Sequence, residues 1–313
     1  MSFELRPLSL GELLDRSFSL YRRHFSTFVG IMAAPAAMMM LISIAGQMLP
    51  MLARNGAASP LTPVNIGLFF AGVFAVFGLS VLYFVVYVLA TGATTAAVSD
   101  LYLDSPVTIA GSYARVRGRL GSLLLLMLLT GLRVVGAVVV TVLVITLVVL
   151  VIGRGTPILS GALAVLIGIL GFLFTFFLML RYAVSVPALT LEPVRASEAL
   201  ARSVELTRGR LGRVLVLVIF ATVIAYISVL IFQMPLTTAA FIAGPESAAA
   251  FWLNLAAAVT GAIASAISGP IMIIAFVVFY YDVRIRHEGL DLQIMMDKLG
   301  PASATTPSGA VSA

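Results

Sequence analysis

The feature that most limits what this chain can fold into is its recurring long runs of uncharged apolar residues. No charged residue occurs in 134–152 or in 161–180. A helix rises about 1.5 Å per residue and bilayer hydrocarbon is about 30 Å thick, so about 20 residues cross it. Either stretch nearly or fully spans by itself. Only 10% of the 313 residues are charged and 61% are hydrophobic, where a soluble domain carries about 25% charged residues. The chain therefore reads as an all-α integral membrane protein and not as a large soluble core.

Six spans are expected: 28–52, 66–98, a third reaching residue 152, 158–189, 214–234, and 248–281 interrupted at Gly269-Pro270. Residues 53–64, 153–157 and 235–247 carry the Gly, Pro and Asn chemistry of loops. Ser9 with Glu12 has the S-x-x-E spacing of a capping box and predicts a helix start. From there Leu10, Leu13, Leu14, Phe18, Tyr21 and Phe25 recur every three or four residues, opposite Glu12, Asp15, Arg16, Arg22 and Arg23. That pattern fits an amphipathic helix, either in the membrane interface or packed on the end of the bundle. Its acids, and its place before the first apolar run, are unlike a cleavable signal, so the first span is expected to persist. Ser105-Pro106 and Ser197 are candidate caps for two further short helices, and Glu198–Arg202 is a candidate i,i+4 pair.

One basic segment recurs. Arg117-Gly118-Arg119-Leu120-Gly121 returns as Arg208-Gly209-Arg210-Leu211-Gly212, and a looser copy places Arg16-Ser17, Leu20 and Arg22 where Arg202-Ser203, Leu206 and Arg208 fall later. The copies lie 91 to 95 residues apart, and each runs into an apolar stretch. The expected organisation is one polytopic domain over 1–299, built from three parallel two-span units (about 9–104, 105–192 and 193–290). A basic amphipathic interfacial helix precedes each unit, and a small, polar, disordered tail occupies 300–313.

With six spans, 15 of the 19 basic residues fall on one side, and the opposite loops hold Arg54 and Arg154. The positive-inside rule then puts both termini in the cytoplasm of a cell whose inner membrane holds the protein. All but one of the basic residues are arginine, and they flank apolar spans. Anionic lipid headgroups, and not nucleic acid, are the expected partners. The arginines at the repeated junctions are the candidate contacts: Arg22, Arg23, Arg117, Arg119, Arg208, Arg210 and Arg213.

Charge inside an apolar run suggests function by default, which singles out Arg133 and Arg181. In the registers 134–152 and 161–180 both lie at the cytoplasmic boundary and snorkel. The alternative is a buried anion or ion-pair site. Gln47, Gln233 and Asn254 are expected to bind between helices. Asp100, Asp104, Glu192 and Asp282 stand at span ends, where pairing with nearby arginines is favoured over a cation site. Gly92, Pro187 and Gly269-Pro270 are candidate bends in helices too long for the bilayer. Cysteine is absent and only His24 and His287 occur. No zinc, phosphate-loop, nucleophile-elbow or dinucleotide motif is present, so no cofactor, metal or catalytic set is implied.

Three stretches carry a family resemblance. The opening 5–25, the middle 187–192 with 199–203, and the closing 280–286 with 288–291 resemble a bacterial family of six-span proteins, the membrane domain of glycerophosphoryl diester phosphodiesterase. In the namesake enzymes the phosphodiesterase chemistry belongs to a separate soluble barrel. No length remains here for that barrel, and its His-Arg-Gly region is missing: His24 precedes Phe25 and His287 precedes Glu288. The resemblance thus implies a membrane architecture and no enzyme. The expected role is a non-catalytic scaffold or assembly partner that contacts anionic lipid and another membrane protein. The alternative is a transporter or channel-like component for a lipid or small anion, with Arg133 or Arg181 lining its path.

Overall fold

A computed structural model describes residues 8–57, 63–102, 105–153, 155–244 and 247–289, without the side chains of 50–66. The expected tail, 300–313, lies outside them, as do Asp104 and Arg154. The described chain is helical throughout. The order is α1 (Leu10–Arg23), α2 (Phe25–Ala57), α3 (Pro63–Tyr102), α4 (Ile109–Arg117), α5 (Leu120–Ile152), α6 (Pro157–Arg181), α7 (Ser185–Leu191), α8 (Ala196–Thr207), α9 (Leu211–Phe232), α10 (Met234–Ala243) and α11 (Ala248–Glu288). Six stretches are long and apolar enough to cross a membrane. The chain is a multi-pass membrane protein.

Local chemistry explains most boundaries. Ser9 and Glu12 form the capping box: Glu12 N donates to Ser9 Oγ at 3.3 Å, and Ser9 N donates to Glu12 Oε2 at 2.7 Å. α4 is capped by Thr108 and not by Ser105. Gly111 N donates to Thr108 Oγ1 at 3.1 Å, and the proline at 106 leaves 105–108 non-helical. α8 begins after Arg195, whose N–H donates to Glu198 Oε2 at 2.9 Å, so Ser197 lies inside the helix. Occupied at the cap, Glu198 does not form the expected ion pair with Arg202.

Three expected loops or breaks differ. α2 continues to Ala57, and 234–243 forms α10 with Pro235 in its first turn, where proline's missing N–H costs nothing. α11 passes through Gly269-Pro270 as one helix. The fourth span does break, but at 182–184, ahead of Pro187, which then sits in the first turn of α7.

The surplus length is explained by burial. At about 1.5 Å per residue, the 40 residues of α3 and the 41 of α11 reach about 60 Å, twice the hydrocarbon thickness. The C-terminal part of each forms the centre of a compact end. Val88, Ala90, Thr94, Thr95, Ala96, Ala97 and Val98 of α3 are buried, as are Ile274, Val277, Val278, Phe279 and Tyr280 of α11. Around them pack α1 on α11, α4 on α3, and α8 on α7. Leu13, Ser17, Leu20 and Tyr21 are the buried residues of α1, while Phe18 and Phe25 remain exposed.

Small residues make this packing close. A side chain at Gly92 of α3 would meet Val116 of α4 at 2.7 Å and Leu123 of α5 at 2.9 Å. Gly92 is therefore a contact point and not a bend. Two tyrosines tie short helices to prolines in long ones. Pro35 has no N–H to offer the Ile31 carbonyl of α2, and Tyr113 Oη of α4 donates to that carbonyl at 2.7 Å. Tyr21 Oη of α1 donates at 2.7 Å to the Ile267 carbonyl, three residues before Pro270. Burial pushes the Tyr21 phenol up to about 12, so it stays protonated and remains a donor.

Candidate functional site

The charged residues of the compact end are organised by three acids, each at or near the end of a returning helix. Asp100 closes α3, Glu192 follows α7, and Asp282 lies in the last turns of α11. They stand 92 and 90 residues apart. Asp282 is the most enclosed, its side chain wholly shielded from solvent. Its Oδ1 accepts from Leu8 N at 2.7 Å and Arg286 Nε at 3.0 Å, and its Oδ2 accepts from Arg213 Nη1 at 2.8 Å. Both arginines also donate to the Leu8 carbonyl, at 3.3 and 2.5 Å. A buried carboxylate is tolerated only when paired and hydrogen-bonded, and Asp282 meets both conditions.

Glu192 gathers the second cluster. Tyr280 Oη donates to its Oε1 at 2.6 Å, Arg202 Nε lies 3.3 Å from Oε2, and Arg284 Nε lies 3.9 Å from Oε1. Arg202 bridges further to Glu205 at 3.0 Å and to Glu288, which Arg284 also holds at 2.7 Å. Burial alone would lower the Arg202 pKa, but the Glu205 and Glu192 carboxylates outweigh it and raise it above its ordinary value. Asp100 pairs with Arg115 of α4. Beside it Tyr102 stacks on Tyr281 at 4.9 Å, and Tyr281 Oη shares a 2.8 Å hydrogen bond with Ser99 Oγ. The described acids at span ends thus pair with arginines, as their position predicted.

The seven arginines at the repeated junctions divide in two. Arg213 is committed to Asp282 and Leu8, and Arg119 Nη1 donates to the carbonyls of Leu189 at 2.8 Å and Glu192 at 2.9 Å. These two fasten α9 and α5 to the compact end. The side chains of Arg22, Arg23, Arg117, Arg208 and Arg210 have no ion-pair or hydrogen-bond partner among the described residues. Four of the five are exposed and Arg210 is half-buried. Each stands where a short helix hands over to a long one. At the third junction Gly209 takes φ +73°, a left-handed turn that glycine adopts without steric cost.

Arg133 and Arg181 come to the same level of the molecule. Arg181 closes α6 with its guanidinium 5.0 Å from the Phe177 ring centre, and Arg133 of α5 lies 5.8 Å from the ring centre of Tyr182, the next residue. Below that level Leu123 and Leu126 of α5 are buried in the compact end. Gln47 Nε2 donates to the Asn254 carbonyl at 3.4 Å, and Gln233 packs over Gly261. Among the described residues no group of three His, Cys, Asp or Glu is placed to hold a metal ion.

Residues 156–299 match the family model described as the membrane domain of glycerophosphoryl diester phosphodiesterase. That stretch is similar to this membrane-domain family. It runs from the start of α6 beyond α11 and includes Glu192, Arg202, Arg213 and Asp282. No curated protein and no solved structure matches the chain.

Several members of the site are not evident as such in the sequence. Tyr280 and Ser99 sit in apolar or small-residue runs, and Leu8 contributes only backbone. Leu8 and Tyr280 fall in stretches that carry the family resemblance, but nothing there marks them as partners of an acid. Their roles arise from which helix ends meet. The acid spacing of 92 and 90 residues was a usable signal, because it follows the spacing of the basic copies.

Proposed function

We propose that this is a non-catalytic multi-pass protein of the bacterial inner membrane. It acts as a scaffold or assembly partner, and its arginine-rich cytoplasmic face holds anionic lipid. One observation carries this reading: five junction arginines, drawn from all three copies of the basic segment, keep their guanidinium groups free of partners among the described residues, while neighbouring arginines are consumed by internal pairs. Each free arginine near an anionic surface contributes about 1 kcal/mol.

The architecture is three parallel units of a short interfacial helix and two spans. The spacing of Asp100, Glu192 and Asp282 supports it, and so does the packing, in which each short helix rests on the last helix of the preceding unit and α1 rests on α11 to close the circuit. Both termini are cytoplasmic, since the basic end then lies inside. Exposed Phe18 and Phe25 flank Arg22 and Arg23 as an amphipathic element at an interface would.

The test is retention of lipid by the purified protein. Replacing Arg22, Arg23, Arg117 and Arg208 together by glutamine leaves every internal pair intact. It is expected to lower the ratio of anionic to zwitterionic phospholipid that co-purifies in mild detergent. An unchanged ratio defeats the lipid part of the reading. The alternative, a transporter or channel-like component for a lipid or small anion, needs Arg133 or Arg181 on a polar path. Their contacts with Tyr182 and Phe177 near the compact end favour the scaffold.

A further inference from the structure

A cavity of about 510 Å³ opens in the compact end between α3, α4, α5, α7 and α11, within the range of about 300–1,000 Å³ typical of small-molecule sites. Its polar lining is one-sided in charge: Arg115, Arg119 and Arg284 face it, and none of its lining residues is acidic. Each guanidinium keeps donors in reserve. Arg115 uses Nη1 on Asp100, Arg119 uses Nη1 on three carbonyls, and Arg284 uses Nε and Nη1 on Glu288 and Tyr280. Nη2 of all three has no partner among the described residues.

Two further observations point to an occupant with acceptor oxygens. Thr190 Oγ1, on the same lining, is buried without any hydrogen-bond partner, which is uncommon for a buried polar atom. The Ser99–Tyr281 hydroxyl pair also lines the cavity. Whichever hydroxyl accepts within that pair keeps its own proton to donate to a third group. The rest of the wall is apolar, including Val116, Leu123, Leu189 and Leu191.

We propose that this cavity binds one phosphate group, held by the free Nη2 donors of Arg115, Arg119 and Arg284 with the Ser99–Tyr281 pair and with Thr190, whose buried hydroxyl turns toward the cavity when the site fills. Planar guanidinium donors match phosphate oxygens in pairs; Arg119 brings a charge held only by carbonyls, and Arg115 and Arg284 bring donors beyond those they give to Asp100 and Glu288. The phosphate is either that of an anionic phospholipid, whose first carbons lie along Leu123, Leu189 and Leu191, or a free phosphate ion. The lipid form rests on the reading above, which puts this end at an anionic membrane surface. The free-ion form does not. The site shares Arg119 with the junctions but differs from the five free junction arginines in being saturable at one ligand per chain.

The test uses the full chain in zwitterionic detergent and three probes: phosphatidylglycerol, phosphatidylcholine and sodium phosphate. Native mass spectrometry counts bound lipid, and calorimetry follows phosphate. The expected result is one tightly bound phosphatidylglycerol, no bound phosphatidylcholine, and displacement of the lipid by phosphate. Saturable phosphate binding without lipid assigns the site to the free ion. Absence of both overturns the proposal.

Arg119→Gln also removes the bonds to α7, so Arg115→Gln and Thr190→Val are the informative variants. Arg115→Gln is expected to weaken binding about tenfold or more, as loss of a charge-assisted hydrogen bond does, and Thr190→Val by several-fold. Wild-type affinity in both variants would falsify the assignment. The quadruple junction variant separates the two ideas. If it loses bulk anionic lipid but keeps the single site, both readings stand. If it keeps bulk lipid, the junction reading fails and the single site is decided by its own variants.

Discussion

The long helices α11 and α5 are both apolar enough to cross a membrane, yet they solve the burial problem in opposite ways. In the most apolar 18-residue stretch of α11, 56% of residues are buried inside the protein, and in that of α5 none is. Leu143 of α5 is 62% exposed and Phe172 of α6 is 67% exposed. Hydropathy alone does not separate a helix that faces lipid from one that faces protein. Residue size does. The buried length of α3 reads Thr91, Gly92, Ala93, Thr94, Thr95, Ala96, Ala97, residues that let backbones approach closely. The exposed face of α5 is Leu and Val.

That contrast can be broken at its strongest point first. Asp282→Ala leaves Arg213, Arg286 and the Leu8 N–H without their common anion. It is expected to destabilise the protein by about 3–5 kcal/mol, the range for breaking a buried pair, seen as a large loss of thermal stability in detergent. A loss below about 1 kcal/mol would show that the compact end is not held by this cluster.

Leu143→Arg tests the other region. A charge at the centre of a lipid-facing helix costs about 2.5–3.5 kcal/mol on insertion scales, measurable as reduced membrane insertion. Normal insertion would mean that this face of α5 is not in lipid.

Gly92→Val places a branched side chain against Val116 and Leu123, and overpacking of this kind costs about 1–3 kcal/mol. Its effect should appear as faster hydrogen exchange in α4.

Tyr113→Phe is expected to cost about 0.6–1.7 kcal/mol, the scale of interhelical hydrogen bonds in membranes. The cost should vanish when Pro35→Ala restores a backbone donor for Ile31. A cost that persists in the Pro35→Ala background rejects the idea that Tyr113 substitutes for the missing N–H.

The smallest effect is Leu143→Ala, expected within about 0.5 kcal/mol by thermal melting, because lipid tails are as apolar as the leucine they replace. A cost like that of a core leucine, about 2–5 kcal/mol, would erase the distinction between the two regions.

The sequence made the spans legible because uncharged runs of this length have few other outcomes. It made the α1 cap legible because Ser9 and Glu12 act on their own local backbone. The pairing of span-end acids with arginines was legible as a class but not by partner. Arg202 turned from the sequence-adjacent Glu198 to Glu192 and Glu288, because Glu198 was taken by the cap and the end of α11 arrives from elsewhere. The uninterrupted passage of α11 through Pro270 was not legible because the helices that pack around it, α1 and α2 among them, come from distant parts of the chain.

The Asp282 cluster joins Leu8 to a residue 274 positions later, and that distance has a consequence for biosynthesis. At about 5–20 residues per second, the ribosome takes on the order of ten seconds to a minute to make the second partner after the first. Throughout that interval α1 has been made but its acceptor on α11 has not. The last span to enter the bilayer is thus the one that closes the assembly. A nascent chain halted before α11 would present Arg213 and the Leu8 N–H without the Asp282 carboxylate that satisfies both.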